Sequence, residues 1–123
     1  MNKRNMIVAV DFDGTIVEHR YPSIGDLIPG SIDYLKKLKD AGIKLVLWTC
    51  RAEEDLNQAV EFCRSHGIEF DAVNKDISNI GLSGAISPKI YADFYIDDRA
   101  MLYPVDWDII GAAILERSVY YGR

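Results

Sequence analysis

Four aspartates fall in two tight groups, Asp11 and Asp13 within Asp11-Phe12-Asp13-Gly14-Thr15, and Asp97 and Asp98 within Tyr95-Ile96-Asp97-Asp98. The first group follows the apolar run Met6–Val10, and the second follows the segment Ala92–Ile96, which reads as a strand. Carboxylates gathered in one place repel one another and raise some of their own pKa values. A hard cation such as Mg²⁺ resolves that repulsion, because it takes oxygen ligands and keeps waters that a phosphate can replace. Asp11, at a strand tip, can point into a crevice. Asp13 comes after the chain has turned and can reach the same centre from another side. One such carboxylate can act as nucleophile while the other gives and then takes a proton. Gly14 permits an unusual backbone angle and close approach at the turn, and Thr15 is expected to fix the loop by hydrogen bonding. An Asp-Gly pair alone is a common way to leave a strand. The whole pentapeptide directly after a buried apolar run is far more specific.

These residues need a scaffold that brings them to one edge. Met6–Val10 reads as a buried strand. Ser31–Ala41 reads as a helix, with Ile32, Leu35 and Leu38 recurring on one side and Gly42 as its stop. Ile43–Trp48 is a second buried strand, and Ala52–His66 a second helix with Leu56, Ala59, Val60 and Cys63 on one face. Ile68–Val73 suggests a short third strand, Ile80–Ser87 a loop or brief turn, and Ala92–Ile96 a fourth strand. Asp106 caps a last helix running to about Glu116, with Trp107, Ile110, Ala113 and Ile114 inward. Strands alternating with helices mean βαβ units and a mainly parallel sheet. The expected architecture is an α/β, Rossmann-like three-layer sandwich with strand order 3-2-1-4. In such a sheet the carboxyl ends of all strands share one edge, where ligands bind. Asp11–Thr15, Thr49-Cys50-Arg51, Asn74-Lys75 and Asp97-Asp98-Arg99 all fall there.

At 123 residues the chain fits one domain. With 49% hydrophobic and 27% charged residues it is composed like an ordinary globular protein. It carries 14 Lys+Arg against 19 Asp+Glu, a formal charge of −5, which argues against general nucleic-acid binding. Setting aside the four clustered aspartates leaves 15 acids against 14 bases. The charge is therefore mostly one cluster awaiting a cation, and the argument against nucleic acid weakens. No apolar run approaches the roughly 20 residues of a membrane helix, and Met6–Val10 is too short for a signal segment. Cys50 and Cys63 read as reduced thiols, so the expected location is cytoplasmic.

With its motifs so placed, the sequence resembles the haloacid dehalogenase superfamily of phosphotransferases, over roughly Met6 to Arg99. The residues that carry the resemblance are Asp11–Thr15, Leu47-Trp48-Thr49, Lys89 and Tyr95–Asp98. It implies a single hydrolase domain over residues 1–123 and a Mg²⁺-dependent phosphate monoester hydrolase. Asp11 matches the nucleophile that forms an aspartyl-phosphate, and Asp13 the acid/base. An Asp at the second position points to phosphatase or phosphomutase chemistry. Thr49 matches the residue whose hydroxyl and backbone N–H hold the phosphoryl group, with Phe12 and Gly14 beside it. Lys89 fits the cation that neutralises transferring oxygens; Lys75, which also follows a strand, is its rival. Asp11, Asp98 and Asp97, with the backbone carbonyl of Asp13, would hold the metal, Asp98 directly and Asp97 behind it or shared. Arg51, Arg99 and Lys75 could touch substrate, although solvated charge or a structural ion pair explains the two arginines equally well.

The family often inserts a cap domain, and neither usual position has room for one here. Ile16–Gly30 is long enough only for a flap, and Asn74–Pro88 is similarly short. A capless site is open to a macromolecule, or closed by a neighbouring subunit in a homo-oligomer. Tyr21, Ile24, Leu27 and Ile28, or Tyr103, Tyr120 and Tyr121, could build that contact, although core packing explains such residues more often. The rival readings are a phosphomutase and a non-catalytic Mg²⁺- or phosphate-binding module. There is no Walker A run, serine elbow, cysteine-phosphatase loop or HExxH pair.

Overall fold

Ile7-Val-Ala-Val10 is buried at every position, the pattern of a strand covered on both faces. It forms β1 (Ile7–Val10) at the interior of a parallel sheet. The structure is a computed structural model that describes residues 5–77, 90–99 and 104–121. The chain continues through α1 (Ser31–Asp40), β2 (Lys44–Leu47), α2 (Glu53–Ser65), β3 (Ala72–Val73), β4 (Phe94–Ile96) and α3 (Trp107–Tyr120). The sheet order is β3-β2-β1-β4, all parallel, as the alternation of elements predicts. Among the described residues, no helix is long and apolar enough to cross a membrane.

Side chains alternate across β1 and β2. Val8, Val10, Leu45 and Leu47 pack with Leu35 and Leu38 of α1, Ala59 and Cys63 of α2, and Trp107 and Ile114 of α3. Ile7, Ala9 and Val46 face the other way and are covered by Ile90, with Trp48, Ile77, Tyr91 and Ala92 against them. Among the described residues all the helices thus lie on one face, making a small Rossmann-like α/β sandwich in which the expected third layer is represented only by non-helical segments. The expected loop at Ile80–Ser87 lies outside the described residues.

Several elements differ from the sequence expectation: β4 starts at Phe94 and not Ala92, and α3 runs past Glu116 to Tyr120. The third strand shrinks from Ile68–Val73 to Ala72–Val73. The chain before it is still leaving α2, with the Ile68 N–H donating to Cys63 O at 2.9 Å. Asp71 then stands in for a strand residue: its N–H donates to Leu45 O, and its carboxylate accepts from the Leu45 N–H, both at 2.8 Å. In α3 the inward positions are Trp107, Gly111 and Ile114, not Ala113, which is exposed, and Ile110 is only half-buried. Gly111 turns inward because Tyr34 of α1 lies directly against it, leaving no room for a Cβ. The Asp106 cap holds as expected, its carboxylate accepting from the Ile109 N–H.

Residues 16–30 form a flap. Glu18 N–H donates to Asp26 O at 2.7 Å and Ile28 N–H to Ile16 O at 2.9 Å, so its two arms pair as a short antiparallel hairpin.

Candidate active site

The loop after β1 is tightly wound. Phe12 O accepts from the N–H groups of Thr15, Ile16 and Val17, and the Gly14 N–H donates to Val17 O at 2.7 Å. Two distant elements hold it from behind. Ser31 Oγ, at the start of α1, donates to Ile16 O at 3.0 Å, and Trp107 Nε1 of α3 donates to Thr15 O at 2.8 Å. The expectation that Thr15 fixes the loop through its hydroxyl is not met. Thr15 Oγ1 is buried and has no hydrogen-bond partner among the described residues. The backbone of Thr15 is what is gripped, through Trp107.

Gly14 has φ of +82°, and a Cβ there would collide with the carboxylate of Asp98. The close approach this glycine permits is therefore that of the fourth strand's carboxylate to the first strand's loop. Asp11, Asp97 and Asp98 each offer an oxygen, and these atoms lie within 4.8 Å of one another. Asp98 reaches the Asp11 side chain, while the carboxylate of Asp97 accepts from the Arg99 N–H at 2.8 Å. Burial, followed by the charges of Asp97 and Asp98, pushes the Asp11 carboxyl up to about 7 against the hydrogen bond from the Phe12 N–H. Burial, with Asp97 alongside, also raises Asp98. Three oxygen donors so crowded suit a hard divalent cation, whose charge would relieve the repulsion.

Asp13 faces elsewhere. Both its oxygens meet Arg51, Nε to Oδ2 and Nη2 to Oδ1, each at 2.8 Å. The Asp13 carboxylate is thus not among the clustered metal donors. Arg51 is 2% exposed, so it is neither a surface charge nor free for substrate. Its remaining N–H groups donate to Pro22 O, Ser23 O and Asp55 O. Its plane lies between the rings of Phe12 and Tyr21, 5.1 and 5.0 Å from their centroids. The hydrogen bonds to Asp13 hold its guanidinium charged more firmly than usual, against the cost of burial.

These groups line an open cleft of about 450 Å³, together with Thr49, Cys50, Arg99 and the flap residues His19 and Tyr21. Its position at the carboxyl ends of the strands is the one the parallel topology dictates. Thr49 is in place, but its N–H donates to Asn74 Oδ1 at 2.8 Å and its hydroxyl accepts from the Arg51 N–H. Phe12 is core, its ring edge-on to Phe62; only its N–H, which reaches Asp11, bears on the site. Lys75 is exposed and does not line the cleft. Lys89 lies outside the described residues. The sequence puts Asn74 at the binding edge and Trp107 on an inward helix face, but shows neither their hydrogen-bonding roles nor the place of His19 in the cleft. Asn74 carried a faint signal, an Asn at a strand end, and it adopts φ of +53°, which Asn tolerates better than most residues. His19 and Trp107 carried none that local pattern could have isolated.

No protein-family model matches the chain, and no curated protein does. A solved structure of a conserved protein coded by a locus of Bacteroides thetaiotaomicron is similar to it, with 47% sequence identity, a TM-score of 0.82, and 92% of each chain covered.

Proposed function

We propose, for a chain that belongs to one family with that conserved Bacteroides protein, a Mg²⁺-dependent phosphate monoester hydrolase of the haloacid dehalogenase type. The observation that carries this reading is the clustering of Asp11, Asp98 and Asp97 at the carboxyl edge of the sheet, with Asp11 and Asp98 lining one cleft together with Asp13. Asp11 and Asp98, with Asp97, would hold the cation, which when bound supplies positive charge against the transferring oxygens. An oxygen of Asp11 attacks phosphorus, and the bond from phosphorus to the leaving oxygen breaks. Asp13 gives that oxygen its proton. A water then loses a proton to Asp13 and attacks phosphorus, the bond to Asp11 breaks, and phosphate and a free Asp11 carboxylate remain. The flap leaves the cleft open enough for a small ester. Two free thiols, Cys50 exposed and Cys63 buried, fit a cytoplasmic location.

The test is release of phosphate from p-nitrophenyl phosphate and a panel of phosphate esters, with Mg²⁺ or EDTA, beside Asp11→Asn. Turnover that needs Mg²⁺ and disappears in Asp11→Asn supports the hydrolase. A wild-type protein that binds Mg²⁺ tightly yet releases phosphate from no ester is a binding module instead.

A further inference from the structure

We propose that Arg51 is a positioning residue that couples the flap to Asp13, so that the Asp13 carboxylate stands in place only while the flap is seated. The inference rests on the hydrolase reading for its consequence and on contacts alone for its mechanics. A guanidinium has five N–H donors, and all of Arg51's are spent. Two go to Asp13, two to the flap carbonyls of Pro22 and Ser23 at 3.1 and 2.9 Å, and one to Asp55 O at 3.4 Å. An arginine meant for a substrate phosphate would keep its fork open to the cleft. This one is closed on the protein, with its side chain 1% exposed and that of Asp13 11% exposed.

The flap is tied twice. Tyr21 lies over the guanidinium, and its hydroxyl donates to Asp55 at 3.0 Å. His19 and Tyr21 of the flap line the same cleft as Asp13, so a group bound beside Asp13 meets the flap there. Displacement of the flap there removes two of Arg51's acceptors and the ring above it, and the fork holding Asp13 loosens. Lysine cannot substitute, because a point charge cannot span a carboxylate and two carbonyls in one plane.

The test is a double-mutant cycle on the full chain, Arg51→Met with Asp13→Asn. It is read by hydrogen exchange of a flap peptide covering residues 18–28, with α3 as the folding control. Each single change should speed flap exchange about tenfold, the size that loss of a charge-assisted hydrogen bond gives. The double variant should be no faster than either, because both remove one coupling. The same cycle is read by turnover of p-nitrophenyl phosphate. Arg51→Met should lower kcat with KM little changed, and should add nothing on the Asp13→Asn background. If Arg51→Met does not fold, Arg51→Lys replaces it in the cycle and should fall between wild type and Asp13→Asn. Flap exchange untouched by Asp13→Asn, or losses that multiply in the double variant, overturn the coupling. Non-additive exchange in a wild-type protein without turnover keeps the coupling and sinks the hydrolase. Turnover with multiplying losses does the reverse.

Discussion

Without metal, the Asp11 cluster should make the protein less stable as pH rises. The carboxyl of Asp11 is pushed from 3.8 to about 7 by burial and then by its acidic neighbours. Between those values the folded chain keeps a proton that the unfolded chain has released, so stability falls with rising pH across this window and levels off above it. A full shift of about three units corresponds to about 4 kcal/mol at about 1.36 kcal/mol per unit. From pH 5 to pH 8 the protein crosses about two of those units, a ceiling of about 2.7 kcal/mol. Asp11 is only half-buried and faces an open cleft, so water screens part of this. About 1–2 kcal/mol is expected, a fall in Tm of about 3–8 °C for a domain of this size. The assay is thermal unfolding by circular dichroism in EDTA at several pH values, for wild type and Asp11→Asn. Subtracting the two curves cancels the titrating groups remote from Asp11 and leaves Asp11 with its neighbours Asp97 and Asp98. Asp11→Asn should lose this slope and be the more stable protein at pH 8. Mg²⁺ in excess should raise the wild-type Tm at pH 8 and do little at pH 5, where the proton occupies the carboxyl. Parallel pH slopes for the two proteins, or an Asp11→Asn variant no more stable at pH 8, would refute the strain assigned to the cluster.

Gly14→Ala forces a Cβ onto the Asp98 carboxylate at a φ of +82°. Calorimetric titration should show Mg²⁺ affinity falling at least about tenfold, with about 1–3 kcal/mol lost in urea unfolding. Trp107→Phe removes the donor to Thr15 O and leaves a buried carbonyl unpaired. It should cost about 1–3 kcal/mol of stability, read as a lower urea midpoint with an unchanged slope. Burial pushes the Cys63 thiol up to about 12, while Cys50 is exposed at the cleft. Iodoacetamide at pH 8 should therefore modify Cys50 and spare Cys63, as read by peptide mass spectrometry. Asp98→Asn should weaken Mg²⁺ binding far more than Asp13→Asn, whose carboxylate faces Arg51. Equal losses in the two variants would show that this division of roles is wrong.

The strands, the helices and their order were legible in the sequence, because each is written in a local apolar period and a local stop. Met6–Val10 and Ile43–Trp48 are short, mostly apolar runs that fit buried strands, and β1 and β2 lie within them. The meeting of Asp11 with Asp97 and Asp98 was legible too, since a parallel sheet in the order 3-2-1-4 puts β4 beside β1 and their carboxyl ends together. The tertiary structure decided what each polar group touches once there. Arg51 reads in sequence as a charge after a strand, and its pairing with Asp13 spans 38 positions. Only the packing of flap, loop and α2 makes that pairing obligatory, by burying the guanidinium until every donor needs an acceptor. The same holds for Asn74 on the Thr49 N–H, Trp107 behind the Thr15 carbonyl, and Gly111 against Tyr34. Local periodicity marks the inward face of α1 and α2, though in α3 it misplaces Ala113. It cannot say which buried donor finds which acceptor, because that depends on elements distant in the chain arriving at the same place.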